Sequence, residues 1–403
     1  MNWRRSAQRR PRSSLHRWPA SALCSWPALL ALPGLALAGE PNVNGAEPTL
    51  LRKIAEHADL YGRFDGNLAL APHDTSFANN GSRWGISAEQ TLGGGFQLFG
   101  RGEWSIKLGE GDKRYHLDEN PNTGFGTFSS TQSNALGTRL GYVGLSWGDY
   151  GTLTLGKQWG VYYDVSEWTD QYTVFGAHGS STYNAGTDGG ETGTGRANDA
   201  VVYRVALGPF QLGAQAQFRA ATATSLDSLA GSLVYDTEFG LRAGVAYSHA
   251  FLDDLGLELV GFDGTGAQAF TAGVGYKGES WVIASLDTWT RNHEIVNGTQ
   301  AAVMYDTLGA ELFVARTFAE RVMLYGGFDF AVPRGLDPRF ISPNYGTRDV
   351  LFGARWLFDS KLKSYAYIEA RTGASIAVDG STEPDILTLG LRLSYSLREG
   401  LGQ

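Results

Sequence analysis

Leu60-Tyr61-Gly62-Arg63-Phe64-Asp65-Gly66-Asn67-Leu68-Ala69-Leu70 is the stretch whose reading decides the fold. Its even positions hold Leu, Gly, Phe, Gly, Leu and Leu, while its odd ones hold Tyr, Arg, Asp, Asn and Ala. A period of two with one apolar and one polar face is the pattern of a β-strand. The pattern returns in Phe96 to Leu108, where Phe96, Leu98, Trp104, Ile106 and Leu108 oppose Gln97, Arg101, Glu103, Ser105 and Lys107. It returns again in Phe210 to Phe218, against Gln211, Gln215 and Gln217, and in Leu387 to Tyr395, against Thr388, Arg392 and Ser394. Such runs outlast the usual globular strand of about 5 or 6 residues.

Sixteen segments of this kind can be placed, at about 23 residues per strand plus connection. Tight turns such as Gly93-Gly94-Gly95, Gly148 to Gly151 and Leu207-Gly208-Pro209 alternate with long loops, Glu110 to Gly137, Val161 to Gly195, Phe251 to Gly266 and Pro333 to Gly346. An even strand count with short turns at one end and long loops at the other describes an outer-membrane barrel. Alternation alone also fits a soluble β-sandwich or a propeller. Strand length and a polar face rich in Arg, Glu and Gln favour the barrel, whose lumen is polar and filled with water. The expected fold is therefore all-β, a 16-stranded antiparallel transmembrane barrel. Tyr61, Trp84, Trp147, Trp159, Trp281, Trp289 and Trp356 near strand ends fit interfacial girdles.

Composition removes the competing classes. Aromatics at 12% of 403 residues exclude disorder, and one cysteine excludes a disulfide scaffold. No apolar run of about 20 residues follows position 40, as a spanning helix requires. With 33 basic against 41 acidic residues the chain lacks the basic surface that a phosphate backbone demands, so no nucleic-acid partner is expected.

Residues 1–38 read as a signal peptide. Arg4, Arg5, Arg9, Arg10, Arg12 and Arg17 precede an apolar stretch, Ala20 to Leu37, that closes on Ala36-Leu37-Ala38. Pro27 and Pro33 argue against a membrane anchor, and Cys24 departs with the leader. Without those six arginines, 27 basic residues face 41 acidic ones, a net charge of -14. Residues 39–58 are then a periplasmic N-terminal extension, 59–397 the barrel and 398–403 a C-terminal tail.

Enzyme signatures occur as strings and fail in context. Gly144-Leu145-Ser146-Trp147-Gly148 runs from a strand into a tight turn with no following helix, unlike a nucleophile elbow. Gly273 to Gly278 precedes another strand, not the helix of a dinucleotide site. The histidines have no metal-ligand spacing. No catalytic residue, cofactor or metal is expected, although an outer-membrane barrel lipase or protease and a soluble secreted β binding protein stand as alternatives.

The 35-residue loop Val161 to Gly195, with a helix-compatible stretch Asp164 to Tyr172, is too long for a passive connection. Around it lie Leu60-Tyr61-Gly62-Arg63, Ser82-Arg83-Trp84-Gly85, Thr138 to Leu145, Gly151 to Gly156 with Tyr163-Asp164, Gly195-Arg196 and Tyr203-Arg204. These resemble the general trimeric porins of Gram-negative outer membranes, most clearly over Leu60 to Arg204. The resemblance implies a homotrimer among outer-membrane lipid and lipopolysaccharide that passes small hydrophilic solutes and ions by diffusion. It also implies a third loop folded into the barrel, its carboxylates facing a basic wall. By motif Arg63, Arg83, Arg139 and Arg196 match the wall, Asp170 a loop carboxylate and Glu103 a lumen carboxylate, with Glu167 a further acidic candidate. Three departures stand out, one of them Gly39 to Ala58, which is longer than the family's usual start. Thr173-Val174-Phe175-Gly176-Ala177 replaces the family's Pro-Glu-Phe-Gly-Gly, so Val174 stands where the family carries Glu, and Ser396 to Gln403 runs past Tyr395 where an aromatic end is usual. The expected pore is near neutral or tilted toward anions, and Val174→Glu is expected to move it toward cations.

Overall fold

The computed structural model describes residues 56–72, 74–106, 136–183, 188–218, 226–251, 261, 266–297, 302–336, 338–339, 341–359 and 363–400. The leader, nearly all of the 39–58 extension, and most of the loops expected at 110–137 and 251–266 lie outside them.

Eighteen strand segments form one antiparallel sheet. They are β1 (Ala58–Ala71), β2 (Asp74–Asn79), β3 (Arg83–Thr91), β4 (Phe96–Ile106), β5 (Leu136–Trp147), β6 (Thr152–Trp159), β7 (Arg196–Leu207), β8 (Phe210–Gln217) and β9 (Ser228–Asp236). The second half holds β10 (Leu241–Ala250), β11 (Ala267–Lys277), β12 (Trp281–Arg291), β13 (Glu294–Asn297), β14 (Ala302–Phe318), β15 (Val322–Arg334), β16 (Thr347–Asp359), β17 (Ser364–Gly373) and β18 (Ile386–Ser396). β2 and β3 pair with successive halves of β1, and β12 and β13 with successive halves of β14. Each couple is one wall strand with a break in it, at residues 80–82 and 292–293, which leaves sixteen. β18 pairs with β1 from Tyr61↔Ser396 to Leu70↔Leu387, so the sheet closes on itself and no edge remains.

The quoted stretch shows which way the wall faces. Leu60, Phe64 and Leu68 are 46%, 43% and 41% exposed, while Asp65 and Asn67 on the other face are 0% and 2% exposed. A sandwich buries its apolar face; here the apolar face is the outside. Leu389, Leu391 and Leu393 continue that exterior on β18, as do Phe270, Val274 and Tyr276 on β11. Only a hydrocarbon solvent makes such a surface favourable, and closure satisfies the backbone within it.

Two of the aromatics expected at the girdles turn inward. Tyr61 shares the face of Arg63 and Asp65 and its hydroxyl donates to Glu103 Oε2 at 3.0 Å. Trp159 stacks on Tyr163 of the following loop, centroids 4.0 Å apart. Proximity to a strand end does not fix a side chain's face; parity does. Trp84, Trp281 and Trp356 do face outward, at 37%, 40% and 62% exposure. At the C-terminus Leu397–Gly400 forms one short helix. Its Arg398 N–H donates to Asp59 and its guanidinium to Glu89, at 3.0 and 2.7 Å, so the start of the expected tail is docked on β1 and β3.

Candidate functional site

The segment between β6 and β7 is almost wholly buried through its first two dozen residues. Its helix, α1 (Tyr163–Ser166), is shorter than the expected Asp164 to Tyr172 and gives way to turns. Tyr162, Val165 and Trp168 pack against Val234, Ala246, Ala269, Ala284 and Leu286, on the inner faces of β9 to β12. Further on, Tyr172, Val174 and Phe175 pack with Phe313, Tyr325, Leu351, Tyr367, Ile386 and Ala69 of β14 to β18 and β1. These inner-face apolar residues interrupt an otherwise polar lining because the loop covers them. Burying each large side chain contributes about 2 kcal/mol.

Backbone groups of the loop are held by carboxylates of the wall. Glu369 of β17, 0% exposed, accepts the N–H groups of Thr173, Val174 and Phe175 at 2.6, 2.9 and 2.7 Å and the Tyr325 hydroxyl at 2.6 Å. Glu311 of β14 accepts those of Gly179 and Ser180 at 2.8 and 2.6 Å and the Thr169 hydroxyl. Asp329 of β15 accepts the His178 N–H at 3.3 Å. Backbone N–H groups converging on one carboxylate at such short distances, as on Glu369, make strong bonds. Gly179 lies so close to β14 that a Cβ on Gly309 would stand 1.8 Å from its carbonyl oxygen, which only glycine allows.

The expected wall residues divide. Arg83 and Arg139 meet Glu103 at 3.6 and 3.2 Å, joined by Arg101 at 3.1 Å and the Tyr61 hydroxyl. Arg63 lies 3.9 Å from Asp65, which also takes Arg392 and the Tyr367 hydroxyl. Arg196 is elsewhere: with Lys157 it holds Asp188 at the return of the loop, at 3.1 and 2.8 Å, under the ring of Trp159. Burial alone would raise the Asp188 carboxyl, but these two cations outweigh it and hold it below the usual range. Asp170 accepts the hydroxyls of Tyr163 and Tyr183, at 2.7 and 2.9 Å. Glu167 is exposed, and desolvation by its surroundings together with the neighbouring Asp164 lifts it above the usual carboxylate range. Burial, aided by Arg371, pushes His178 down to about 3, so its ring is neutral at physiological pH.

Arg101, Arg355, Arg392 and Asp65 were not singled out from the sequence, although parity along β1, β4 and β18 puts three of them on the polar face. Arg355 reaches from β16 to the loop, donating to Thr173 Oγ1 at 2.8 Å and to the Gln171 carbonyl. Val174 is corrected by the structure. Its side chain is 3% exposed in the apolar cluster and its N–H binds Glu369, so a glutamate there would place a second carboxylate beside a buried one instead of into the lumen. Among the described residues no group of three or more metal-ligating side chains comes together.

A family model described as Gram-negative porin matches residues 25–320. The chain belongs to this family. Outer membrane porin N of Escherichia coli K12 is 26% identical to it over 398 residues, covering 90% of this chain and 97% of the relative. Outer membrane protein S2 of Salmonella typhi is 28% identical over 376 residues, covering 83% and 89%. Among solved structures, Salmonella typhi OmpF in complex with daunomycin superposes with a TM-score of 0.67 at 18% identity, over 84% of this chain and 97% of that one. An anion-selective porin from Comamonas acidovorans gives 0.59 at 15% identity, over 84% and 99%. This porin is thus an outer-membrane diffusion channel and not an enzyme. The nucleophile-elbow string around Ser146 is β5 running into the turn at Gly148–Tyr150.

Proposed function

We propose that residues 160–195 are an inward-folded third loop that narrows the porin to a constriction passing small hydrophilic solutes and ions, with a tilt toward anions. The observation that carries this is the binding of loop backbone N–H groups by Glu369 and Glu311. Both lie on wall strands well around the ring from β6 and β7, and a segment lying outside the barrel could not reach their inner faces. Opposite the loop, Arg63, Arg83, Arg101, Arg139 and Arg392 on β1, β3, β4, β5 and β18 gather around the carboxylates of Asp65 and Glu103 and give this side of the wall a basic character. Charges a few ångströms from a permeating ion outweigh those on distant rims, where screening acts over about 8 Å. The acidic total of the chain therefore misleads about selectivity. Zero-current potentials across a KCl gradient test the reading: anion preference supports it, and strong cation selectivity refutes it.

Three further expectations belong to the same reading. Residues 1–38 are an export leader, and 39–58 lie on the periplasmic side. The porin is a homotrimer set in lipid and lipopolysaccharide; the OmpT of Vibrio cholerae, a structural neighbour with a TM-score of 0.58, is solved in a trimer form. A heat-sensitive shift in electrophoretic mobility in detergent tests the trimer.

A further inference from the structure

Beneath α1, toward the short-turn end of the barrel, lies a cavity of about 330 Å³ lined by Asp164 and Glu167 of the loop and by Arg204, Gln211, Ser232 and Arg242 of the inner wall. Most of these groups are mutually satisfied. Asp164 takes Arg204 through bonds of 3.0 Å and the Ser232 hydroxyl at 2.9 Å. Asp236 takes Gln211 Nε2 at 2.7 Å and Arg242 Nε at 3.1 Å. Two groups keep unused capacity. The Glu167 carboxylate accepts no hydrogen bond among the described residues, and the terminal nitrogens of Arg242 donate none. Arg242 is held in place by stacking 4.5 Å over the Trp168 ring. Glu167 and Arg242 feel each other's charge but stand too far apart to form an ion pair. An acid and a base are thereby held apart across a space the size of a small-molecule site.

We propose that this cavity is a binding site for a small zwitterion, its ammonium on Glu167 and its carboxylate on Arg242. A solute with one charge satisfies one of the two groups and leaves the other as it was; a zwitterion satisfies both, displacing water from each. Short turns mark the periplasmic end of such barrels, so the site lies on the periplasmic side of the loop, where a solute that has passed the constriction meets it next. The proposal rests on the reading of residues 160–195 as an inward loop, since that is what puts Glu167 over the wall.

The test uses the full-length protein in a planar bilayer, with glycylglycine as probe and current fluctuation as readout. Addition on the periplasmic side is expected to produce saturable fluctuation. N-acetylglycylglycine, which lacks the amine charge, and glycylglycinamide, which lacks the carboxylate, are each expected to bind about tenfold more weakly, the scale of one charge-assisted contact. Glu167→Gln is expected to erase the preference for glycylglycine over the acetylated peptide, and Arg242→Gln the preference over the amide. The comparison among peptides on the unmodified protein stands even if either variant fails to fold. Equal binding of all three peptides, or conducting channels that no peptide affects, overturns the site while leaving the pore intact. No conductance at all overturns the pore reading instead.

Discussion

Replacing Glu369 by glutamine removes one charge and almost no volume, at the point where the loop is tied most densely to the wall. The wild-type carboxylate accepts three loop N–H groups and one hydroxyl. A hydrogen bond to a charged acceptor contributes about 1 kcal/mol more than one to a neutral acceptor. The amide also offers a single oxygen and turns its own N–H₂ toward backbone N–H groups, which can only donate. Taking the three amides alone gives about 3 kcal/mol of lost local stability. At about 1.4 kcal/mol per factor of ten, this is roughly a hundredfold rise in the population of locally opened loop. Hydrogen exchange followed by mass spectrometry reads this directly: Glu369→Gln is expected to lose about two orders of magnitude of protection in peptides spanning Thr173 to Phe175 while β10 to β12 keep theirs. Single-channel conductance is expected to rise with it, because an opened loop obstructs less. Unchanged protection across Thr173 to Phe175 would refute the claim that Glu369 anchors the loop.

Arg83→Gln together with Arg101→Gln removes two of the charges around Glu103 and is expected to move the zero-current potential in a KCl gradient toward cations. Gly309→Ala drives a methyl into the Gly179 carbonyl and is expected to cost about 1 to 3 kcal/mol of stability, as overpacking does, and to raise conductance by displacing the loop. Val174→Glu is expected to lower loop protection in exchange experiments instead of tuning selectivity, since it sets a carboxylate against Glu369. His178, held neutral down to about 3 when folded and titrating near 6.5 when unfolded, binds fewer protons in the folded state between those values. Its contribution is therefore complete above about pH 6.5 and is lost as pH falls toward 3. Asp188, held below its usual range, loses its contribution as pH falls through its folded value. Loop protection measured from pH 7 to 4 is expected to decline, and His178→Gln to flatten that decline.

The wall was legible because its information is local. Leu60, Phe64 and Leu68 declare a face by parity, and the structure exposes all three. The same rule already sets Tyr61, Arg101 and Arg392 on polar faces, against the placing of Tyr61 in a girdle and the omission of both arginines from the pore candidates. Breaks such as those at 80–82 and 292–293 interrupt the ladder without erasing the rhythm, so the count of sixteen stands although the ladder has eighteen segments. The candidate site was half legible. Arg83, Arg139 and Glu103 could each be set on the polar face from motif and parity, and the register of β3, β4 and β5 then brings them together. The grip of Glu369 and Glu311 on the loop could not, because nothing in a strand's alternation tells which inner-face carboxylate meets a segment more than a hundred residues away. Val174 shows the same limit: a motif position names a residue, and the neighbours it packs among decide whether a substitution meets water.

Glu311 comes 131 residues after Ser180, and Glu369 comes 196 after Thr173. When β7 first pairs with β6, the segment between them has none of these carboxylates to bind. The carboxylates that hold it come from β14 and β17, which share one closed wall with β6 and β7 because β18 meets β1. On the reading of residues 160–195 as an inward loop, the groups that fix the bore thus come from the last third of the chain. A wall left open before β18 meets β1 is expected to leave this segment accessible to proteases, so that sealing the ring and fixing its aperture depend on the same contacts.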